Sequence, residues 1–144
     1  MPEIHKSALV TYSALQMYNL VNDVARYAEF LPGCVASKVI DQTEISMLAL
    51  MELKKGPIRQ TFTTSNELAP GQSIKMELKE GPFHHLHGVW NFSALTDDAC
   101  KVTLDLDFAF SNRLTAVSFG SIFNELTSKL VDSFVTRAGV VYGS

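Results

Sequence analysis

The sequence predicts an α+β fold in which a curved antiparallel β-sheet wraps around a long C-terminal α-helix. Three features lead to this prediction: helical spacing of apolar residues near the N-terminus, a long central block of alternating polarity, and a return to helical spacing at the end. One face of an antiparallel sheet can face water while the other needs a cover. The final helix is the natural cover.

The N-terminal elements are a strand followed by two short helices. Residues 4–11 alternate between the two sides of a predicted strand. Ser13 can then cap a helix, and 22–23, Asn-Asp, can cap a second one through Phe30. The sequence Leu-Pro-Gly at 31–33 favours a turn. The apolar residues at helical spacing in the first helix are Leu15, Tyr18 or Met17, and Val21.

The block from Cys34 to Phe110 predicts about six antiparallel strands. Short turn-like separators, "IDQTE", "KKGP", "APGQ", "EGP" and "TDDA", divide it as in a meander. The clearest alternation places on one face Val102, Leu104, Leu106, Phe108 and Phe110.

The last segment predicts one helix of roughly two dozen residues, with Asn112 as its candidate N-cap. Its apolar face must lie on something large and apolar. The residues of this face are Phe119, Phe123, Leu126, Leu130, Phe134 and Ala138, widened by Val117, Ile122, Val131 and Val135.

Length and composition indicate one globular domain over residues 1–144, with 47% apolar and 19% charged residues. No apolar run approaches the roughly 18 residues of a membrane span, and the first residues lack a secretory signal, so we expect a cytoplasmic protein. Cys34 and Cys100 are expected to be reduced thiols. A net charge of -3 argues against non-specific binding to DNA.

The segment "GPFHHLHGVW", residues 81–90, holds three of the four histidines and the single tryptophan. If the strand begins near Phe83, alternation places His85 and His87 on one face and His84 on the other, with Leu86 and Trp90. The three imidazoles then cannot converge, and no acid or cysteine has the spacing of a further ligand. We therefore predict no metal site here.

Catalysis needs an acid, base or nucleophile placed in a cavity. Asp105 and Asp107 share the polar face of their strand with Thr103, and Cys34 has no base at a recognisable spacing, so it is interpreted as a structural thiol. We predict a protein without enzymatic activity.

Several segments together resemble a known family: "LVNDVARYAEFLPGCVASKV", "FTTSNEL", "EGPFHHLHGVWNF", "LDFAFSNRL" and "SFGSIFNEL". In this order and length they are similar to the bacterial ribosome-association toxins. These belong to the coenzyme Q-binding branch of the START-like (polyketide cyclase/dehydrase-like, SRPBCC) superfamily. The resemblance covers essentially the whole chain and implies the helix-grip fold.

The resemblance implies two functions. The preferred one is binding of ubiquinone or another isoprenoid lipid in an apolar cavity, in support of respiratory electron transfer or quinone biosynthesis, with no cofactor required. We expect the cavity entrance near Leu31, Pro32, Phe83 and Trp90, and the interior near Phe108, Phe119 and Phe123.

The alternative is the toxin of a toxin-antitoxin pair that binds the large ribosomal subunit, blocks subunit association and so inhibits translation initiation. Lys54, Lys55 and Arg59, around a predicted hairpin turn, are the candidate contacts with ribosomal phosphate. Because a quinone must be collected from a bilayer, a further expectation is transient contact with the inner membrane through residues 27–34 and 81–83.

Overall fold

The computed structural model describes residues 3–143. The elements follow the predicted order of strand, short helices, strands and C-terminal helices. They are β1 (Glu3–Val10), α1 (Ala14–Asn22), a 3-10 helix (Val24–Glu29), β2 (Cys34–Gln42), β3 (Ser46–Lys55), β4 (Ile58–Ala69), β5 (Ser73–Glu80), β6 (Phe83–Thr96), β7 (Ala99–Phe110), α2 (Arg113–Ser118) and α3 (Gly120–Val141). The predicted domain limits, 1 and 144, lie outside the described residues.

The strands form one antiparallel sheet in the order β1-β7-β6-β5-β4-β3-β2. Consecutive strands from β2 to β7 are neighbours, which is the predicted meander, and β1 joins it beside β7. The inner face of the sheet packs against α3, so that Phe134 of the helix meets Trp90 edge to face at 5.3 Å between ring centroids. The predicted fold class is confirmed.

The first helix begins as the sequence predicts. Ser13 Oγ accepts a hydrogen bond from Gln16 N at 3.0 Å, and Gln16 Oε1 accepts one from Ser13 N at 2.9 Å, which completes a capping box. Met17, Tyr18 and Val21 of the predicted apolar face are buried, whereas Leu15 is exposed and Leu20 is buried in its place. The second helix is a 3-10 helix and has no side-chain cap.

The predicted single C-terminal helix is wrong in one respect, because it is divided at Phe119. Asn112 caps α2, with its Oδ1 accepting a hydrogen bond from Thr115 N at 2.8 Å. Phe119 lies between α2 and α3 and is fully buried, whereas Val117, predicted to face the core, is 74% exposed. The serines and the glycine in "SFGS", residues 118–121, are weak helix formers, which permits the break.

Candidate functional site

A cavity of about 70 Å³ lies between the inner face of the sheet and α3. Its wall is mainly apolar, with contributions from the 3-10 helix, from strands β3 to β7 and from α3. The lining residues are Val24, Tyr27, Leu31, Ala49, Met51, Phe62, Thr64, Asn66, Met76, Leu86, Trp90, Leu106, Phe123, Leu126, Thr127, Leu130 and Phe134.

The structure divides the residues predicted to bind a ligand into groups. Leu31, Trp90 and Phe123 line the cavity. Pro32 lies elsewhere, in a surface cleft beside Lys54 and Lys55. The remaining predicted residues pack next to the cavity in an aromatic cluster with Phe123, and they are Phe83, Phe108 and Phe119.

The aromatic cluster explains why the cavity is small. Phe123 lies 4.9 Å from Phe83 and 4.8 Å from Phe108 between ring centroids, in edge-to-face geometry. Phe119 packs 6.0 Å from Phe83 on the other side. These rings fill space between the sheet and the start of α3. The cavity beside them is well below the roughly 300 Å³ at which ordinary small-molecule pockets begin.

The cavity wall contains a polar patch that was not predicted from the sequence. Asn66 and Thr64 lie on the inner face of β4, and Thr127 of α3 lines the same cavity. All three are buried, and Asn66 Oδ1 accepts no hydrogen bond from any described residue. The signal was in "FTTSNEL", where Thr64 and Asn66 alternate in phase with the inward-facing Phe62 and Leu68.

Gly88 lies between two residues of the cavity wall, Met76 and Leu106. A Cβ at this position would lie 2.7 Å from Met76 Cε and 2.8 Å from Leu106 Cδ1, which is too close. Gly88 pairs with Met76 on one side and Leu106 on the other. The missing side chain therefore gives room to two flexible side chains of the cavity wall.

The histidines of the "GPFHHLHGVW" segment do not line the cavity. An irregularity in the β6–β7 register between Phe83 and His85 shifts the alternation, so Phe83 is buried and His84 is exposed. The predicted placement of His84 on the inner face is thus wrong. His85 Nε2 lies 3.3 Å from Asp107 Oδ1, and His87 pairs with Glu77. Among the described residues no His, Cys, Asp or Glu group has metal-binding geometry.

A further histidine pair extends across the outer face of the sheet to β1. His5 Nδ1 lies 2.6 Å from Asp105 Oδ1, and its Nε2 lies 3.5 Å from Glu3 Oε2. Hydrogen bonds to these carboxylates, that to Asp105 first, raise the pKa of His5 above its ordinary value. Asp105 and Asp107 are partly exposed in these pairs, as the polar face of β7 predicts.

The groups considered for catalysis are poorly suited to it. Burial raises the pKa of the Cys34 thiol to about 11, and the thiol donates a hydrogen bond to Ala36 O at 3.5 Å. Tyr27 lines the cavity, but burial raises its pKa and its hydroxyl donates to the carbonyl of Val21. Neither group is poised to lose a proton near neutral pH. Cys34 and Cys100 are both free thiols.

The candidate ribosome-contact residues lie at the hairpin between β3 and β4, but on two faces. Lys54 and Arg59 are direct cross-strand partners, and Lys38 of β2 lies opposite Leu50 on the same outer face. Arg59 Nε also lies 3.0 Å from Glu52 Oε2. Lys55 turns to the helix side instead, with its Nζ 3.3 Å from Glu125 Oε2 of α3. We call Lys38, Lys54 and Arg59 the outer basic face.

The segments expected to touch a membrane are largely packed inside the protein. Leu31 and Phe83, which lie in the two segments expected to contact a membrane, are only 4% and 5% exposed. The turns themselves form, with positive φ at Gly33 and Gly81, but their large apolar side chains point inward. The prediction that these residues are exposed is therefore wrong. None of the helices formed by residues 3–143 is both long and apolar enough to cross a bilayer.

A seven-stranded antiparallel sheet that grips a C-terminal helix over an apolar cavity defines the helix-grip, START-like class of proteins. Solved structures support this class. The Zhui aromatase/cyclase from Streptomyces sp. R1128 superposes with a TM-score of 0.81 over 95% of this chain and 93% of its own, at 14% identity. At that identity the similarity describes the fold alone.

The chain belongs to the family described as polyketide cyclase / dehydrase and lipid transport, whose model matches residues 10–135. The ribosome association toxin RatA of Vibrio cholerae is 54% identical over 99% of both chains. The coenzyme Q-binding protein COQ10 homolog B, mitochondrial, of Xenopus laevis is 28% identical over 98% of this chain, which spans 59% of that protein. The predicted resemblance is confirmed.

Proposed function

We propose that this protein binds the large ribosomal subunit and hinders its association with the small subunit. The observation that carries the proposal is the 54% identity, over 99% of both chains, with a protein named ribosome association toxin. The order of preference in the sequence analysis is thereby reversed, because the relative named for coenzyme Q is much more distant.

The outer basic face is the proposed contact with ribosomal RNA. Phosphate contacts from Lys and Arg position a protein on nucleic acid without reading its sequence. Lys54 and Arg59 stand opposite one another on adjacent strands, and Glu52 Oε2 lies 3.0 Å from Arg59 Nε, so an approaching phosphate would compete with that carboxylate for Arg59. Lys55 does not belong to this face, because it turns to the helix side and pairs with Glu125. A local basic patch of this kind is compatible with the negative overall charge of the chain.

The experiment is a sucrose-gradient assay of subunit association with purified subunits. The wild-type protein is expected to lower the fraction of joined ribosomes, and the double variant Lys54→Glu/Arg59→Glu is expected to lose most of that effect. Lys75→Glu/Lys101→Glu, on other strands of the sheet, is the matched control with the same change in charge. No effect of the wild-type protein refutes the function, whereas an equal effect of both double variants refutes only the contact face.

A second candidate function is binding of a hydrophobic ligand, and the specific observation in its favour is the apolar cavity. An isoprenoid quinone remains one such ligand, but a long tail needs far more room than about 70 Å³. It would require α3 or the aromatic cluster to move away from the sheet. Extraction of the purified protein with organic solvent, followed by mass spectrometry, tests this candidate. A quinone near one molecule per chain supports it, and an empty extract with failed reconstitution refutes it.

We infer no catalysis for either function. Tyr27 is the one titratable group among the described cavity residues, and its hydroxyl is buried and already donates a hydrogen bond. The relatives reported above that share the most sequence with this chain are named for a toxin and for binding, which supports a non-enzymatic role.

A further inference from the structure

Asn66 presents an unpaired acceptor to the cavity. The residue is 5% exposed, and its Oδ1 receives no hydrogen bond from any described residue. Met47 and Met76 flank it on the neighbouring strands and offer no hydrogen-bond donor. Buried polar atoms in native proteins nearly always have partners, so an exception that faces a cavity needs an explanation.

Other polar groups of the cavity lie on the same strand and on the facing helix. Thr64 lies two residues before Asn66 on the inner face of β4. Thr127 of α3 donates its hydroxyl to Asn124 O at 3.2 Å, which leaves its oxygen able to accept a hydrogen bond. Tyr27 is occupied by the carbonyl of Val21. Apart from Asn66, Thr64, Thr127 and Tyr27, the described residues that line the cavity are hydrophobic.

We propose that Asn66, together with Thr64 and Thr127, forms a subsite for the hydroxyl group of a small apolar ligand. The inference rests on the second candidate function and deepens it by naming the chemistry of the ligand. A ligand hydroxyl can donate one hydrogen bond to Asn66 Oδ1, which has no donor among the described residues, and its oxygen can accept further hydrogen bonds. A quinone carries acceptors only, and it would leave this oxygen unpaired unless the amide turned over.

The dimensions of the cavity limit the part of the ligand that enters. A dry cavity of about 150 Å³ admits a benzene ring, and this one has about half that volume. Met51 and Met76 line it, and the unbranched methionine side chain adapts readily to a guest. A single ring or a short branched chain with one hydroxyl therefore enters once Met51 and Met76 rotate away from the cavity.

Phenol and toluene are suitable probes because they have nearly the same shape and differ in hydroxyl against methyl. Binding is followed by NMR through the methyl signal of Met51, which lines the cavity. Each probe is titrated into the wild-type protein and into Asn66→Leu. The same titrations are made in a Met76→Ala background, where the cavity is larger, so that its volume does not prevent either probe from binding. Asn91→Leu, a change of the same chemistry on the exposed face of β6, is the control.

The measured quantity is the ratio of the toluene Kd to the phenol Kd. This ratio is expected to fall by about 3- to 10-fold in Asn66→Leu, the range for one hydrogen bond, and to stay unchanged in Asn91→Leu. Asn66→Ala is expected to give the same fall and substitutes for the leucine variant if that does not fold.

An unchanged ratio with both probes bound overturns the subsite but leaves the ligand-binding candidate standing. If neither phenol nor toluene binds to the wild-type protein or to the Met76→Ala variant, both the subsite and the candidate function of binding a hydrophobic ligand are overturned.

Discussion

Replacement of Asn66 by leucine should stabilise the protein. A buried acceptor without a partner costs about 1–3 kcal/mol of unfolding free energy, and Asn66 Oδ1 is such an acceptor. Leucine has the same number of side-chain heavy atoms with the same branching, is somewhat larger, and would pack against Met47 and Met76 on the adjacent strands. Because the change removes the penalty and the larger side chain can extend into the adjacent cavity, we expect the free energy of unfolding to rise by about 1–3 kcal/mol.

The corresponding change in melting temperature follows from the length of the chain. At about 2.1 cal/mol/K per residue, unfolding of 144 residues has an entropy near 0.3 kcal/mol/K. A gain of about 1 kcal/mol then raises Tm by about 3 °C, so we expect a rise of about 3–10 °C. Thermal and urea unfolding, followed by circular dichroism, measure both quantities in parallel.

Asn91→Leu is the control for this prediction, because Asn91 is exposed on β6 and its loss should change stability by less than about 0.5 kcal/mol. A decrease in Tm for Asn66→Leu of more than a few degrees would contradict the reasoning. It would mean that the amide of Asn66 has a stabilising partner in the folded protein. Ligand binding would then have to be explained without this acceptor.

Three further predictions concern the cavity wall, a thiol and a surface pair. Gly88→Ala should push Met76 and Leu106 into the cavity. We expect urea unfolding to show a loss of about 1–3 kcal/mol of unfolding free energy, and NMR titration to show that toluene no longer binds. Unchanged toluene binding would contradict this prediction. Burial raises the pKa of the Cys34 thiol from 9.0, its ordinary value, to about 11, so at pH 8 far less of it is the reactive thiolate. Cys34 should therefore react with iodoacetamide at least about 100-fold more slowly in the folded than in the unfolded protein. Equal rates would refute its burial. Asp105→Asn should lower the pKa of His5 in an NMR titration, with Asp98→Asn as control. Since the His5 pKa is raised on folding, the pair stabilises the protein at low pH, and this contribution disappears as the pH rises through the folded-state pKa.

Much of the fold followed from local patterns. The helix cap at Ser13, the alternation from Val102 to Phe110 and the order of elements depend on spacing within short segments, which a sequence displays directly. The break at Phe119 was missed because the apolar spacing continues through it, whereas the helix does not. Phe119 packs against Phe83 and Phe110 at that point, a tertiary contact that the spacing does not show.

The candidate site was harder to predict for a geometric reason. The irregularity between Phe83 and His85 reverses the faces at the start of β6, and a bulge has no clear signature in "GPFHHL". Lys55 is adjacent to Lys54 in sequence, yet the pleat turns it towards Glu125. The size of the cavity depends on how rings from β6, β7 and α3 meet, and this is a property of tertiary packing.

Co-sedimentation with isolated subunits is the most direct test of the proposed binding to the large ribosomal subunit. Purified protein is mixed separately with large and small subunits and pelleted through a sucrose cushion at low and at moderate salt. We predict saturable co-sedimentation with the large subunit alone, weakened by salt because phosphate contacts carry part of the affinity. Recovery of the protein in the supernatant with both subunits, or equal binding to both, would contradict the claim.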